Sequence, residues 1–341
     1  MSYDRGLAAI QGEMTPLVPH TQYVSHPEWA KHLRAKQGKP EADIHELLDL
    51  DFSFAIWDPP ILQNGRSTDM GHATWLPEGA DYRERQASPF DGKMEDIFNL
   101  DPVKEYGPIT RAMFEESLAK FHKRQAQLDA VLPGGGTYNS VISFAIAAFG
   151  WENFLMAVGT DPERFGAMLT RWADYYEPWY AMWAEADNPV LLTHDDFVWT
   201  EGGFLPPEFY RTYVFPAYKR YWAPARAAGK RILFCSDGNY TAYIDDLVEA
   251  GADGFIIEPT TSLETICEKY GQTHSVFGNA DTRILTLGTP EYVYTEVKRC
   301  MDVGRNCPGF FFAVGNHIPP NVPIENADAC MEAYWSLRGR G

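Results

Sequence analysis

The stretch ILFCSDGNYTAYIDDLVEAGADGFIIEP, residues 232–259, decides the fold. Its short apolar run ends in Cys235, and the chain then enters Asp237-Gly238-Asn239, residues that favour turns. The following YTAYIDDLVEAG spaces its apolar residues as a helix does and stops at Gly251. A second apolar run, GFII, breaks at Glu258-Pro259. A short buried strand, an amphipathic helix and another buried strand in succession indicate a parallel sheet.

The same alternation extends on both sides. Apolar runs recur at 189–194 (PVLLTH), 274–278 (HSVFG) and 309–315 (GFFFAVG). Between the runs lie PPEFYRTYVFPAYKRYWAPARAAG, SLETICEKYG and TPEYVYTEVKRCMDVG, all with helical periodicity. Upstream, DPERFGAMLTRWADYYEPWYAMWAEA opens on Asp161 as N-cap and Pro162 at the first helical position. A further helix is expected over about 110–128, then a short strand ending near Pro133. The PGGG at 133–136 reads as a loop after that strand, because a phosphate loop would continue to Gly-Lys-Ser/Thr. The first 130 residues mix Pro, Trp and charge, and imply short helices, one strand at 51–57 and long loops.

At 341 residues the chain exceeds a usual single domain. A barrel of eight strand–helix units takes about 250 residues, which leaves roughly 90 for an extension. With no dinucleotide fingerprint at the first strand, the expectation is an α/β fold, a single (β/α)8 TIM barrel with an irregular, partly helical N-terminal extension. Residues 1–341 then form one domain, with 1–100 holding the extension and first barrel elements and 101–341 the main part.

Composition narrows the function classes. A formal charge of -18 argues against nucleic acid and anionic membrane as partners. No run approaches about 18 uninterrupted apolar residues, and the N-terminal MSYDRGLAAIQGEM lacks the apolar stretch of a secretory signal. Five cysteines without a CxxC pair suggest reduced thiols in the cytoplasm. Aromatics make up 14%, which reads first as a large core and second as a pocket for a flat apolar ligand.

In a parallel barrel, functional side chains stand at the C-terminal ends of the strands. Those exits read Thr193-His194-Asp195-Asp196, Cys235-Ser236-Asp237-Gly238-Asn239, Glu258-Pro259, Gly278-Asn279-Ala280-Asp281 and Gly315-Asn316-His317. Any one of them reads as a turn, yet five polar exits in succession point to a site on the barrel mouth. Cys235 and Asp237, two apart on an extended segment, face the same side, and Glu258 and His317 arrive from other strand ends. Thiolate, carboxylate and imidazole are donors that suit Zn2+, so these four are the candidate metal ligands. Cys307 is an outside candidate, Cys267, Cys300 and Cys330 read as buried helical thiols, and His20, His26, His32, His45 and His72 read as surface or packing residues, His72 being the one to watch.

The C-terminal half resembles the uroporphyrinogen decarboxylase superfamily, in particular its cobamide-dependent methyltransferase branch. The resemblance rests on GGFLPPEFYRTYVFPAYKR, ILFCSDGN with EAGADGFIIEP, EKYGQTHSVFGNADTRIL with GTPEYVYTEVKRC, and NHIPPNVPIENADACMEA. DRGLAAIQGE and GWENFLMAVGTDPERF also fit. It implies a barrel with a zinc site of the His-x-Cys, Glu, Cys kind found in the related cobalamin-independent methionine synthases. On that pattern Cys235 stands at the His position, Asp237 at the first Cys, Glu258 near the Glu and His317 near the last Cys.

Both members of the first pair therefore depart from the pattern of thiol-alkylating relatives. A site richer in oxygen and nitrogen holds a more Lewis-acidic zinc, which suits ether cleavage better than thiolate activation. The resemblance thus implies a zinc-dependent methyltransferase that demethylates methoxylated aromatics and passes the methyl to the Co(I) corrinoid (cobalamin) of a partner corrinoid protein. Asp237, Glu258 and His317 are the expected catalytic ligands, with Cys235 either a fourth ligand or a thiol behind them. Asp195, Asp196, Asn239, Asn279 and Asn316 are candidates for orienting substrate or ligands, and Trp199 and Tyr240 for aromatic walls; packing roles serve each equally well. A homodimer is left open. The alternatives are another methyl donor, such as methanol or a methylamine, or a metal-free decarboxylase. The decarboxylases bind a polycarboxylate through an Arg-containing motif, of which only isolated Arg66, Arg83 and Arg85 are found.

Overall fold

The protein is described from a computed structural model, which covers residues 2–70, 74–75, 81–82, 87–90 and 92–340. Six strands form one parallel sheet: β1 (Gly134–Thr137), β2 (Val190–His194), β3 (Arg231–Cys235), β4 (Gly254–Ile256), β5 (Ser275–Ala280) and β6 (Phe310–Val314). Their spatial order follows the chain, β6-β5-β4-β3-β2-β1. Two N-terminal segments fill the gap between the edges. Residues 18–21 bridge to β6, with Phe312 N donating to Pro19 O (2.9 Å) and Thr21 N to Phe312 O (3.1 Å). Residues 51–53 join that segment through Asp51 N to His20 O (3.0 Å) and reach the approach to β1 through Ser53 N to Val131 O (2.9 Å). Six strands and two bridging segments complete the eight staves of a TIM barrel.

Period-two alternation sorts each strand into two faces. Phe52, Val131, Val190, Leu192, Leu233, Cys235, Phe277 and Phe311 fill the barrel interior. Leu191, Ile232, Phe234, Phe255, Val276, Phe310 and Phe312 point outward into the layer shared with the helices. The helix Tyr3–Ile10 contributes Ala9 and Ile10 to the interior cluster. Because Ser275, the first residue of β5, donates its hydroxyl to Ile10 O (3.4 Å), that helix closes the N-terminal end. The C-terminal end is left for the site.

The aromatic fraction goes largely into the outer layer, where Trp29, Trp172, Trp179, Trp183 and Trp222 are fully buried and Phe144 stacks on Trp172. Among the described residues, the helix Ile142–Thr160 is long and apolar enough to cross a membrane by length and composition. It lies inside the fold, its first two turns buried, and it kinks at Gly150 (φ 71°).

One reading is corrected here. Gly134 to Gly136, expected as a loop, belong to strand β1 itself. No apolar periodicity announces it, because a neighbouring strand occupies the space that side chains would take. A Cβ on Gly134 would meet the Asn188 side chain at 2.4 Å, and one on Gly135 (φ 75°) would meet Leu191 at 2.7 Å. Gly135→Ala combines a left-handed backbone with a clash, so it is expected to cost about 2 kcal/mol or more, read as a lowered urea midpoint.

Candidate functional site

The register of the strands builds the site. His194 ends β2 opposite Cys235 at the end of β3, and Cys235 in turn faces Ile256 at the end of β4. Two residues further on, on the same interior face, stand Asp196, Asp237 and Glu258. Three carboxylates thus sit side by side on adjacent strand exits, one layer above His194 and Cys235.

Hydrogen bonds fix most of their oxygens. Asp196 Oδ1 accepts His194 Nε2 (3.0 Å) and Asp237 N (2.9 Å), while its Oδ2 accepts the Tyr138 hydroxyl (2.6 Å). Glu258 Oε2 accepts Gly238 N (2.7 Å). Asn316, in a left-handed conformation (φ 62°), donates its amide to Asp237 Oδ2 (3.2 Å) and Glu258 Oε1 (3.0 Å). Its Oδ1 accepts His317 Nδ1 at 2.6 Å. The His194 ring meets Tyr138 edge-on at 4.3 Å between centroids and Phe54 at 6.0 Å.

This crowding of negative charge perturbs Asp237, Asp196, His194 and Cys235. Burial, then the charges of Asp196 and Glu258, push the Asp237 carboxyl up to about 7, against the opposing pull of His194 and Asn316. Burial also works to raise Asp196, but His194, the Tyr138 hydroxyl and the Asp237 amide hold it well below the usual carboxylate range. Burial opposes protonation of His194, yet Asp196 and Asp237 raise its pKa above that of a free imidazole. The Cys235 thiol is raised well above its ordinary value, first by burial and then by Asp237, Asp196 and Glu258. Such a cluster is stabilised by a cation or a proton at its centre.

His194, Asp196 and Asp237 each offer a ligand atom within 4.8 Å of the other two, the one such group among the described residues. Nitrogen and carboxylate oxygen donors of this kind fit a divalent ion with positions left open for a ligand. Of the four ligands expected from sequence, Asp237 belongs to this group; Cys235 and Glu258 border it, and His317 is linked to it through Asn316. Cys235 is a buried member of the barrel interior, and burial lowers the pKa of His317, whose ring meets Tyr23 at 5.9 Å.

The remaining sequence candidates divide by face. Asp196 and Asn316 join the site. Asp195, on the opposite face from Asp196, accepts the amides of Val141, Ile142 and Ser143 and the Tyr218 hydroxyl. Asn279 donates to the Glu258 and Thr261 carbonyls and accepts Arg299, away from the mouth. Tyr240 is buried with its hydroxyl on Ile256 O, and Asn239 Oδ1 accepts from Thr241. Trp199 stays exposed on a two-residue hairpin, its carbonyl accepting Asn239 N. Cys307 lies at the approach to β6, beside Cys267, and His72, Arg83 and Arg85 fall outside the described residues. His20 and His26 are packed inside the fold.

Sequence reasoning did not single out His194 as a ligand, nor Tyr138, Phe54 and Asp58. For His194 a signal existed: His194-x-Asp196 and Cys235-x-Asp237 repeat one spacing at equivalent strand ends. Tyr138 and Asp58 follow glycine-rich and irregular segments in which no periodicity marks a strand exit.

A family model described as Uroporphyrinogen decarboxylase (URO-D) matches residues 89–336, a span that contains all six strands. A uroporphyrinogen decarboxylase of Syntrophotalea carbinolica is 28% identical over 206 residues, 60% of this chain and 58% of that protein. One of Pelobacter propionicus is 32% identical over 138 residues, 40% of each. The chain therefore spans about half the length of these curated relatives. Among solved structures, a methyltransferase from Methanosarcina mazei shares the fold over 97% of both chains, with a TM-score of 0.65 at 17% identity.

Proposed function

From the premise that the chain belongs to the uroporphyrinogen decarboxylase (URO-D) family, we propose that it is a zinc-dependent methyltransferase of that family. It takes methyl from methoxylated aromatic compounds and delivers it to the Co(I) corrinoid of a partner protein. The observation that carries this reading is the sign of the charge at the mouth. Asp196, Asp237 and Glu258 stand together there, with His194 hydrogen-bonded to Asp196. A substrate bearing several carboxylates would be repelled by such a site, whereas a neutral ether oxygen and a metal ion would be welcome.

Among the described residues, Arg66 and Arg283 are engaged by other carboxylates. Arg66 is held by Glu105 (2.8 Å and 3.0 Å) and faces Asp96, and Arg283 is tied to Asp281. His194, Asp196 and Asp237 would hold the ion, with Glu258 and Asn316 bordering it. Bound there, zinc would supply Lewis acidity to the ether oxygen, making the phenolate a better leaving group. The chain's own residues provide the setting. Leu233, Phe277 and Phe311 form a dry floor beneath the acids, and Asn316 fixes Asp237 and Glu258 relative to each other. Phe54 and Tyr138 offer aromatic edges on two sides of His194. The solved methyltransferase of Methanosarcina mazei supports the fold of this reading.

The test is incubation of the zinc-loaded chain with a Co(I) corrinoid protein and a panel of methoxybenzoates, methanol and methylamines. Release of a phenol together with methylated corrinoid is expected. Turnover of methanol or a methylamine alone would move the donor class. Carbon dioxide release from a porphyrinogen by metal-free protein would overturn the reading.

A further inference from the structure

A chain of contacts runs into the acid cluster from residues that lie far from it in sequence, and it begins at Asp58. The residue before Asp58 is pinned twice. Trp57 donates its indole N–H to Pro133 O at 2.9 Å, and Trp179 donates to Trp57 O at 3.1 Å. The Asp58 carboxylate then accepts three hydrogen bonds: Tyr138 N on Oδ2 (2.9 Å), and Asn139 N (3.1 Å) and the Tyr176 hydroxyl (2.6 Å) on Oδ1. Both amides belong to the turn that leaves β1. Tyr138 is thereby gripped by its backbone, and its side chain reaches across to Asp196.

At Asp196 the two oxygens have separate partners. Oδ2 accepts the Tyr138 hydroxyl, while Oδ1 lies against His194 Nε2 and the Asp237 amide. The Tyr138 ring also presses edge-on against the His194 imidazole at 4.3 Å, which limits how that ring can turn. One tyrosine therefore sets the orientation of two of the three candidate ligands. Hydrogen-bonded partners behind metal ligands orient them and tune the ion, and their loss is felt without any direct contact.

Resting on the metal reading above, we propose that Tyr138 is a positioning residue which commits Asp196 to presenting Oδ1 alone to the ion, and that Asp58 acts through Tyr138 by clamping its backbone. The functional consequence is an open face. With Oδ2 withheld, a coordination position stays free for the ether oxygen of the substrate.

The test uses the full chain loaded with Co2+, whose visible absorption reports the number and arrangement of its ligands. Tyr138→Phe frees Oδ2 and is expected to shift the cobalt bands and weaken the metal Kd by about 10-fold. Asp58→Asn should shift the bands in the same direction, and the double variant should bind no more weakly than Tyr138→Phe alone. Should Asp58→Asn fail to fold, Tyr176→Phe, which removes one of the three bonds on Asp58, takes its place in the cycle. Bands and affinity unchanged in Tyr138→Phe, or losses that add in full in the double variant, would overturn the proposal while leaving the metal site standing. A wild-type chain that takes up no cobalt would remove the metal reading and this proposal together.

Discussion

Asp237→Asn is expected to yield a folded chain that no longer retains stoichiometric zinc and transfers methyl at least about 100-fold more slowly. Charge stabilisation by a metal is worth several kcal/mol, and each 1.36 kcal/mol is about a factor of ten in rate. The substitution keeps the shape of the side chain and removes its charge. Asp237 is the member shared by the ligand set expected from sequence and the group brought together by the fold. Burial and its two acidic neighbours also push its carboxyl up, so it gains from a cation. Neighbouring substitutions sharpen the result. Cys235→Ser should keep the metal, because the thiol belongs to the barrel interior with Leu233 and Phe277. Glu258→Gln should show a smaller loss, since one of its oxygens is committed to the Gly238 amide. Metal analysis after desalting reads all three. Full zinc retention by Asp237→Asn would remove the site as described.

How much of this was legible in the sequence depends on the element. The second half of the barrel was, because β2 to β6 are apolar runs cut by turn residues and separated by amphipathic helices. Of the first half, only the stave at 51–53 was, within the strand expected over 51–57. Residues 18–21 and 51–53 act as staves with very few backbone pairings each, and β1 is made of glycine because Asn188 and Leu191 fill its side-chain space. Within the site, the same-side placement of Cys235 and Asp237 follows from strand geometry alone. Which residues stand beside them does not, because it depends on the pairing of His194 with Cys235 and of Cys235 with Ile256. Asn279 illustrates the opposite failure. It sits at a strand exit as expected, yet its amide serves two backbone carbonyls and Arg299 rather than the mouth.

Adjacent aspartates provide the sharpest test of that face-by-face logic. Asp195→Ala is expected to lower stability by about 4 kcal/mol, since each buried donor left unsatisfied costs about 1–3 kcal/mol and the terms are not fully additive. Asp195 is fully buried and accepts Ser143 N at 2.6 Å, Ile142 N at 3.1 Å, Val141 N at 3.2 Å and the Tyr218 hydroxyl at 2.5 Å. It supplies the charge and the acceptors for the start of the helix Ile142–Thr160, a position where a carboxylate is favoured. Alanine leaves four donors facing a dry core. Asp196→Ala, one residue along, removes a side chain 16% exposed at the mouth, where water can reach the three donors it leaves, and should shift the urea midpoint less while abolishing metal retention. The separation is not complete, because Ser143 Oγ, at the start of that same helix, accepts Asp196 N at 2.7 Å. Loss of Asp195 should therefore loosen Asp196 as well, and metal affinity should fall along with stability. An Asp195→Ala chain as stable as wild type would mean that the helix start finds other acceptors, and the two-faced reading of this strand exit would fail.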